Sequence, residues 1–146
     1  MYRWRESGPE VFLVHPGGPF WAKKDLGAWS IPKGEYVEDE EPLAAARREF
    51  TEETGFDLGF AAGSNFVDLG TIKQAGGKFV SVWAVEGDCD PAKLRSNTCL
   101  IEWPPRSGRQ IEIPVVDRGA WFGVDEARER FLKSQEPVLD LLIKHL

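Results

Sequence analysis

Between Gly34 and Glu53 the chain carries eight acids (Glu35, Glu38, Asp39, Glu40, Glu41, Glu49, Glu52 and Glu53) against two bases, Arg47 and Arg48. The formal net charge of the whole protein is −6, so these twenty residues hold all of the excess and the remainder is balanced. The acids have to be folded around something. Pro42 suits a first helical turn and Gly55 suits a left-handed stop, so the pattern predicts a helix from Pro42 to Thr54. On that helix Glu49, Glu52 and Glu53 stand three and four positions apart, on one face. Each such like-charge pair costs about 0.2–0.5 kcal/mol in an isolated helix.

Stability does not ask for this arrangement, but a cation would. The spacing puts Leu43, Ala46, Arg47, Phe50 and Thr54 on an inward stripe, with the three carboxylates at its border. Ala45, one turn before Glu49, leaves room above them. Hard oxygen donors of this kind suit Mg²⁺, which takes few carboxylates and accepts further ligands from substrate phosphates. A solvated acidic face on a surface helix is the other reading of the same spacing.

The rest of the chain predicts a single domain over all 146 residues. VFLVH (11–15) reads as a strand, PGGPFWAKKDLGA (16–28) as a loop, and WSIP (29–32) as a short extended piece. Residues 66–73 and 78–85 flank Gln74-Ala75-Gly76-Gly77 and read as a β-hairpin. Strands are expected at 99–103 and 109–116 around PPRSG. Helices are expected at 125–133 and 137–145, the second with Val138, Leu141, Leu142 and His145 on one stripe. Alternating strands and helices imply α/β class, a mixed β-sheet packed between helices.

Several classes are disfavoured. The longest apolar runs are too short to span a bilayer, and no basic segment leads into a signal-peptide core, so the chain reads as cytoplasmic. A localised acidic excess argues against duplex nucleic acid as a partner. Cys89 and Cys99 lack metal-site spacing and read as reduced thiols; His15 and His145 have no adjacent nucleophile.

One motif sharpens this reading. Gly34, five residues, Glu40, seven residues, then REFTEETGF (48–56) matches G-x5-E-x7-R-E-U-x-E-E-x-G-U at every defined position, where U is bulky and apolar. This is the Nudix box, and by it the chain resembles the Nudix hydrolases; elsewhere the similarity is one of element order. The resemblance implies an α/β/α sandwich. It also implies hydrolysis of a nucleoside diphosphate linked to another group, by attack of water on phosphorus with Mg²⁺ or Mn²⁺.

Carried over, the box makes Glu49, Glu52 and Glu53 metal ligands, with the Gly34 carbonyl as a further one. Arg48 orients Glu49, and Glu40 supports the loop and helix start. Glu49 is the candidate base, with Glu102 and Glu112 as alternatives, since some members use a later glutamate.

WSIPKGE (29–35) resembles a lead-in found in family members that cleave diadenosine or diphosphoinositol polyphosphates. EWPPRSGR (102–109) resembles a bacterial group of predicted nucleoside-triphosphate pyrophosphohydrolases. Lys33, Lys78, Arg106 and Arg109 are candidate phosphate contacts, with Lys73 beside the same hairpin. Of Trp29, Trp83, Trp103 and Trp121, one at most is expected to touch a base. The expected substrate is therefore a dinucleoside polyphosphate or a nucleoside triphosphate. A diphosphoinositol polyphosphate, a nucleotide sugar or a non-catalytic ligand-binding role are the alternatives.

Overall fold

The computed structural model describes residues 1–34, 39–58, 65–74 and 76–146. Residue 75 of the predicted hairpin turn, with Glu35 and Glu38 of the acidic stretch, lies outside them. The described elements are β1 (Tyr2–Arg5), β2 (Gly8–Pro16), α1 (Pro42–Thr54), β3 (Val67–Lys73), β4 (Phe79–Ala84), β5 (Thr98–Glu102), β6 (Gln110–Pro114), β7 (Val116–Gly123), α2 (Val124–Arg130) and α3 (Glu136–His145).

Strand β2 is the organising element. Val11, Phe12, Leu13 and Val14 are all buried, so this strand has no solvent face, the pattern of a strand covered on both sides. Val11 and Leu13 join one core with Trp29, Phe122, Phe131, Val138, Leu139 and Leu142. Phe12 and Val14 join another with Phe50 of α1 and Val116. The sheet therefore lies between α1 on one face and α2–α3 on the other, an α/β/α sandwich. Antiparallel pairing gives the order β1-β2-β7. Parallel bridges from Tyr2 to Glu86 and from Trp29 to Phe131 make the architecture mixed. β3–β4 and β5–β6 are antiparallel hairpins.

Helix α1 has the predicted bounds. Gly55 adopts φ 77° and its N–H donates to the Thr51 carbonyl at 2.8 Å, a left-handed stop that a side chain would disfavour. Two further C-terminal carbonyls of α1 are taken up from a distant segment: Arg95 N–H donates to Thr54 O and Asn97 N–H to Glu52 O, each at 2.8 Å.

The structure corrects four sequence readings. The inward face of α1 is Ala45, Phe50, Glu53 and Thr54, with Leu43, Ala46 and Arg47 only half-buried; Ala45 packs into the interior instead of leaving space above the carboxylates. On α3, Leu139 is buried with Val138 and Leu142, whereas His145 is exposed. The strand expected at 109–116 ends at Pro114, and β7 begins at Val116. β1 and most of β7 have no counterpart in the sequence reading.

His15, read as having no role in chemistry, has a structural one. It is fully buried; Nδ1 lies 2.9 Å from Asp117 Oδ1 and Nε2 lies 2.6 Å from the Lys24 carbonyl oxygen. The ring thereby ties the 16–28 loop to β2 and β7. Replacing His15 by Ala removes both bonds and leaves a void, and should lower stability by about 2–4 kcal/mol. Denaturant midpoints measure this; an unchanged midpoint would remove the tie from the account of the loop.

Candidate active site

The site is built where the segment after Trp29 meets the last two turns of α1. Ser30 pairs with Val14 through two backbone bonds of 2.9 Å, and this carries the chain past β2 towards the helix. Lys33 then donates its backbone N–H to Glu53 Oε2 at 3.2 Å. Gly34 follows, pressed so closely against the Glu49 carboxyl group that a Cβ at position 34 would overlap it. Glycine is needed here for space; the Glu49 carboxylate occupies the volume a side chain would fill.

Arg48 answers the repulsion among the acids. Its Nε and Nη2 bond the two oxygens of Glu40 at 2.8 and 3.0 Å, a bidentate fork, while Nη1 reaches Glu49 Oε1 at 2.8 Å and Glu52 at 3.1 and 3.2 Å. Hydrogen bonding to Glu40, then to Glu49 and Glu52, raises the guanidinium pKa further above its ordinary range. Among the described residues one cation thus holds Glu40, Glu49 and Glu52, and Glu40 fixes its orientation.

Glu53 is different. It is 7% exposed, and burial, reinforced by the charges of Glu49 and Glu52, pushes its carboxyl up to about 7 against the opposing Lys33 N–H and charge. A carboxyl raised this far by burial and neighbouring charge is of the kind found at functional sites.

Among the described residues no three carboxylates close around a single point. The groups that the box marks as ligands are nevertheless all hard oxygens: the carboxylates of Glu49, Glu52 and Glu53 and the Gly34 carbonyl. That set fits Mg²⁺ or Mn²⁺ and not a soft, thiolate-seeking ion.

The predicted phosphate contacts divide. Lys33 and Lys78 line a cavity of about 430 Å³ that also meets Gly34. Lys73, at the exposed end of β3, flanks the same hairpin without lining it. Arg106 and Arg109 lie in the exposed β5–β6 turn, and among the described residues no bond or ion pair joins them to the box. Glu102 accepts the Arg106 N–H at 2.7 Å, and Glu112 is exposed on β6. Of the four tryptophans only Trp83 lines the cavity. Trp29 is buried, with its Nε1–H donated to Asp25 at 2.8 Å, and Trp121 packs on Phe12.

The cavity itself was not foreseen. It runs along β4, where consecutive residues from Lys78 to Val85 line it, and faces Val11, Phe12 and Leu13 of β2. Consecutive residues point to opposite sheet faces, so the cavity meets both strands edge-on. β1 explains why: it bonds β2 through Phe12 N–H to Met1 O and the end of β4 through Tyr2 N–H to Val85 O, each at 3.0 Å. Alternation in KFVSVWAV marks a strand but says nothing about a missing neighbour.

Comparison with known proteins follows the same lines. A family model described as "NUDIX domain" matches residues 1–142. No curated protein matches. Among solved structures, an Ap4A hydrolase binary complex from C. elegans is similar at a TM-score of 0.61 and 18% identity, covering 99% of this chain and 89% of that one. The NUDIX domain of Shewanella oneidensis NrtR, complexed with ADP ribose, is similar at a TM-score of 0.65 and 15% identity, covering 99% and 82%.

Two outcomes are expected of the apo protein. The Glu53 carboxyl is raised in the folded state, so folding favours its proton: stability from this group is full below pH 4.5 and falls as pH rises through about 7. The total change is on the order of 3 kcal/mol, and Glu53→Gln should abolish it. Chemical denaturation at pH 5 and pH 8 with chelator reads the difference. Gly34→Ala should displace the Glu49 carboxylate while costing less than about 1 kcal/mol of stability, because the obstacle is the end of a flexible side chain. Loss of activity with an unchanged midpoint is the expected signature.

Proposed function

This chain belongs to the NUDIX family, and from that premise we propose that it is a divalent-metal-dependent pyrophosphohydrolase acting on a nucleoside diphosphate linked to a further phosphate-rich group. One observation carries the reading: Glu49, Glu52 and Glu53 are all present, two held by Arg48 and the third buried against the Lys33 amide beside Gly34. Ligand binding alone does not call for that repulsive arrangement.

Glu49, Glu52, Glu53 and the Gly34 carbonyl would hold Mg²⁺ or Mn²⁺. A bound ion of this kind neutralises phosphate charge and lowers the pKa of the attacking water. The residues prepare for it. Arg48, anchored by Glu40, keeps Glu49 aimed at Gly34, and Glu53, whose charge burial disfavours, would be the ligand whose charge the ion compensates. Glu49 then serves as the general base on water. Glu102 is occupied by the Arg106 amide and Glu112 lies in solvent, which makes both weaker choices.

The substrate favoured is a dinucleoside polyphosphate or a nucleoside triphosphate. Lys33 and Lys78 both line the cavity, and a chain of several phosphates engages more such bases than a diphosphate does. The ADP-ribose complex of one structural neighbour supports a second reading, a nucleotide-sugar substrate or a binding role.

Turnover should require the metal. Glu49→Gln and Glu53→Gln should each lower kcat at least on the order of 10²-fold, while Glu112→Gln stays within about twofold. A nucleotide panel assayed with Mg²⁺ and with chelator checks this, and chelator-resistant turnover would sink the metal assignment.

In the same panel kcat/KM should rank diadenosine tetraphosphate and ATP above ADP-ribose. Lys33→Ala should reduce the long-chain rate about tenfold or more, the scale of one charge-assisted hydrogen bond. A clear preference for ADP-ribose would favour the second reading.

A further inference from the structure

We propose that the β4-edge cavity holds the nucleobase of the substrate, with Phe79 as its stacking platform. The proposal rests on the phosphohydrolase reading above for its substrate but stands on its own geometry. Lys33 and Gly34 are among its lining residues, so a ligand whose phosphates reach the box has its non-phosphate end within reach of it. Its volume of about 430 Å³ exceeds that of a purine base, and its walls are chiefly aliphatic and aromatic. Apart from Lys33 and Lys78, these walls offer a polyphosphate nothing. They suit a planar group with apolar faces.

Phe79 supplies the second observation. This ring lines the cavity yet is 72% exposed, although burying a phenylalanine side chain is among the more favourable events in folding. Phe79 stands opposite Lys73 across the hairpin, next to Lys78 in the chain. Trp83 lies further along the same strand, two pleats away, and Phe66 lines the opposite flank with Arg47 stacked 5.5 Å from its ring centroid.

Gln74 provides the polar element. It lines the cavity, and its side-chain amide makes no hydrogen bond among the described residues. An amide presents both a donor and an acceptor, and by rotating it can meet the edge of either purine. Stacking is tolerant of base identity, so the pocket selects for a base while discriminating weakly among bases: adenine and guanine substrates should differ by less than about tenfold in kcat/KM.

Phe79→Ala separates this from the hydrolase reading. The fold should survive, because the ring is mostly in water. KM for diadenosine tetraphosphate should rise at least about fivefold, the lower end for loss of one base–aromatic stack, with kcat within about twofold and recovery in Phe79→Tyr. Inhibition by tripolyphosphate, which has phosphates and no base, should be unchanged.

Calorimetric titration with adenosine needs no turnover and should show the same weakening. If the wild type hydrolyses no nucleotide yet binds adenosine in a Phe79-dependent way, the hydrolase reading fails and the pocket assignment stands. Equal adenosine affinity in wild type and Phe79→Ala, or tighter wild-type binding of an aliphatic diphosphate such as isopentenyl diphosphate than of ADP, would overturn the assignment.

Discussion

A strand with no face to water dictates the rest of this molecule. With Val11, Phe12, Leu13 and Val14 all buried, β2 has to be covered twice, and only helices on both sides accomplish that in a sheet this narrow. One cover is α2–α3. The other is α1, whose buried residue Phe50 packs against Phe12 and Val14. Because Phe50 must point at the sheet, Glu53, one turn on, is drawn partly inward with it. Site chemistry follows from packing: the same rotation of α1 that closes the second core also desolvates a carboxylate.

The acidic cluster is then stabilised by sharing a single guanidinium. Isolated surface ion pairs contribute little, but a fork anchored on one carboxylate and extended to two more is a positioned network. Glu53 receives no help from Arg48 and is held by a backbone N–H. The three helix glutamates are thus of two kinds, Glu49 and Glu52 paired with a cation and Glu53 made reluctant to ionise by burial. Binding of a divalent ion changes the situation of both.

Helix α1 was readable from the sequence because Pro42 and Gly55 punctuate it chemically, and the β3–β4 hairpin because a glycine pair interrupts two β-branched runs. The family resemblance rested on the same local signals. What was not readable depended on partners remote in sequence. β1 is four residues with two arginines, Arg3 and Arg5, whose apolar content is too slight to mark a strand; it forms because β2 and the end of β4 offer it backbone bonds. β7 contains Asp117, Arg118 and Gly119, a turn-like run that is held extended by pairing with β2. Helical spacing placed Ala45 in the open, yet which side of a helix packs is decided by the sheet it meets. The cavity lies along β2 and β4, strands remote in sequence, and no local pattern encodes that.

The two glycines that bracket the box differ in kind. At Gly55 the obstacle to any side chain is backbone, the Arg95 carbonyl 2.9 Å from where a Cβ would sit, together with a φ of 77°. No change elsewhere in the side chains relieves it, so that glycine is an unconditional requirement of the fold. At Gly34 the obstacle is the carboxyl end of Glu49. Its necessity is inherited from another residue: a lineage that shortened or lost Glu49 would be released from glycine at position 34. In evolutionary terms the first position constrains alone and the second is epistatic, and retention of glycine at 34 measures continued use of the carboxylate opposite it.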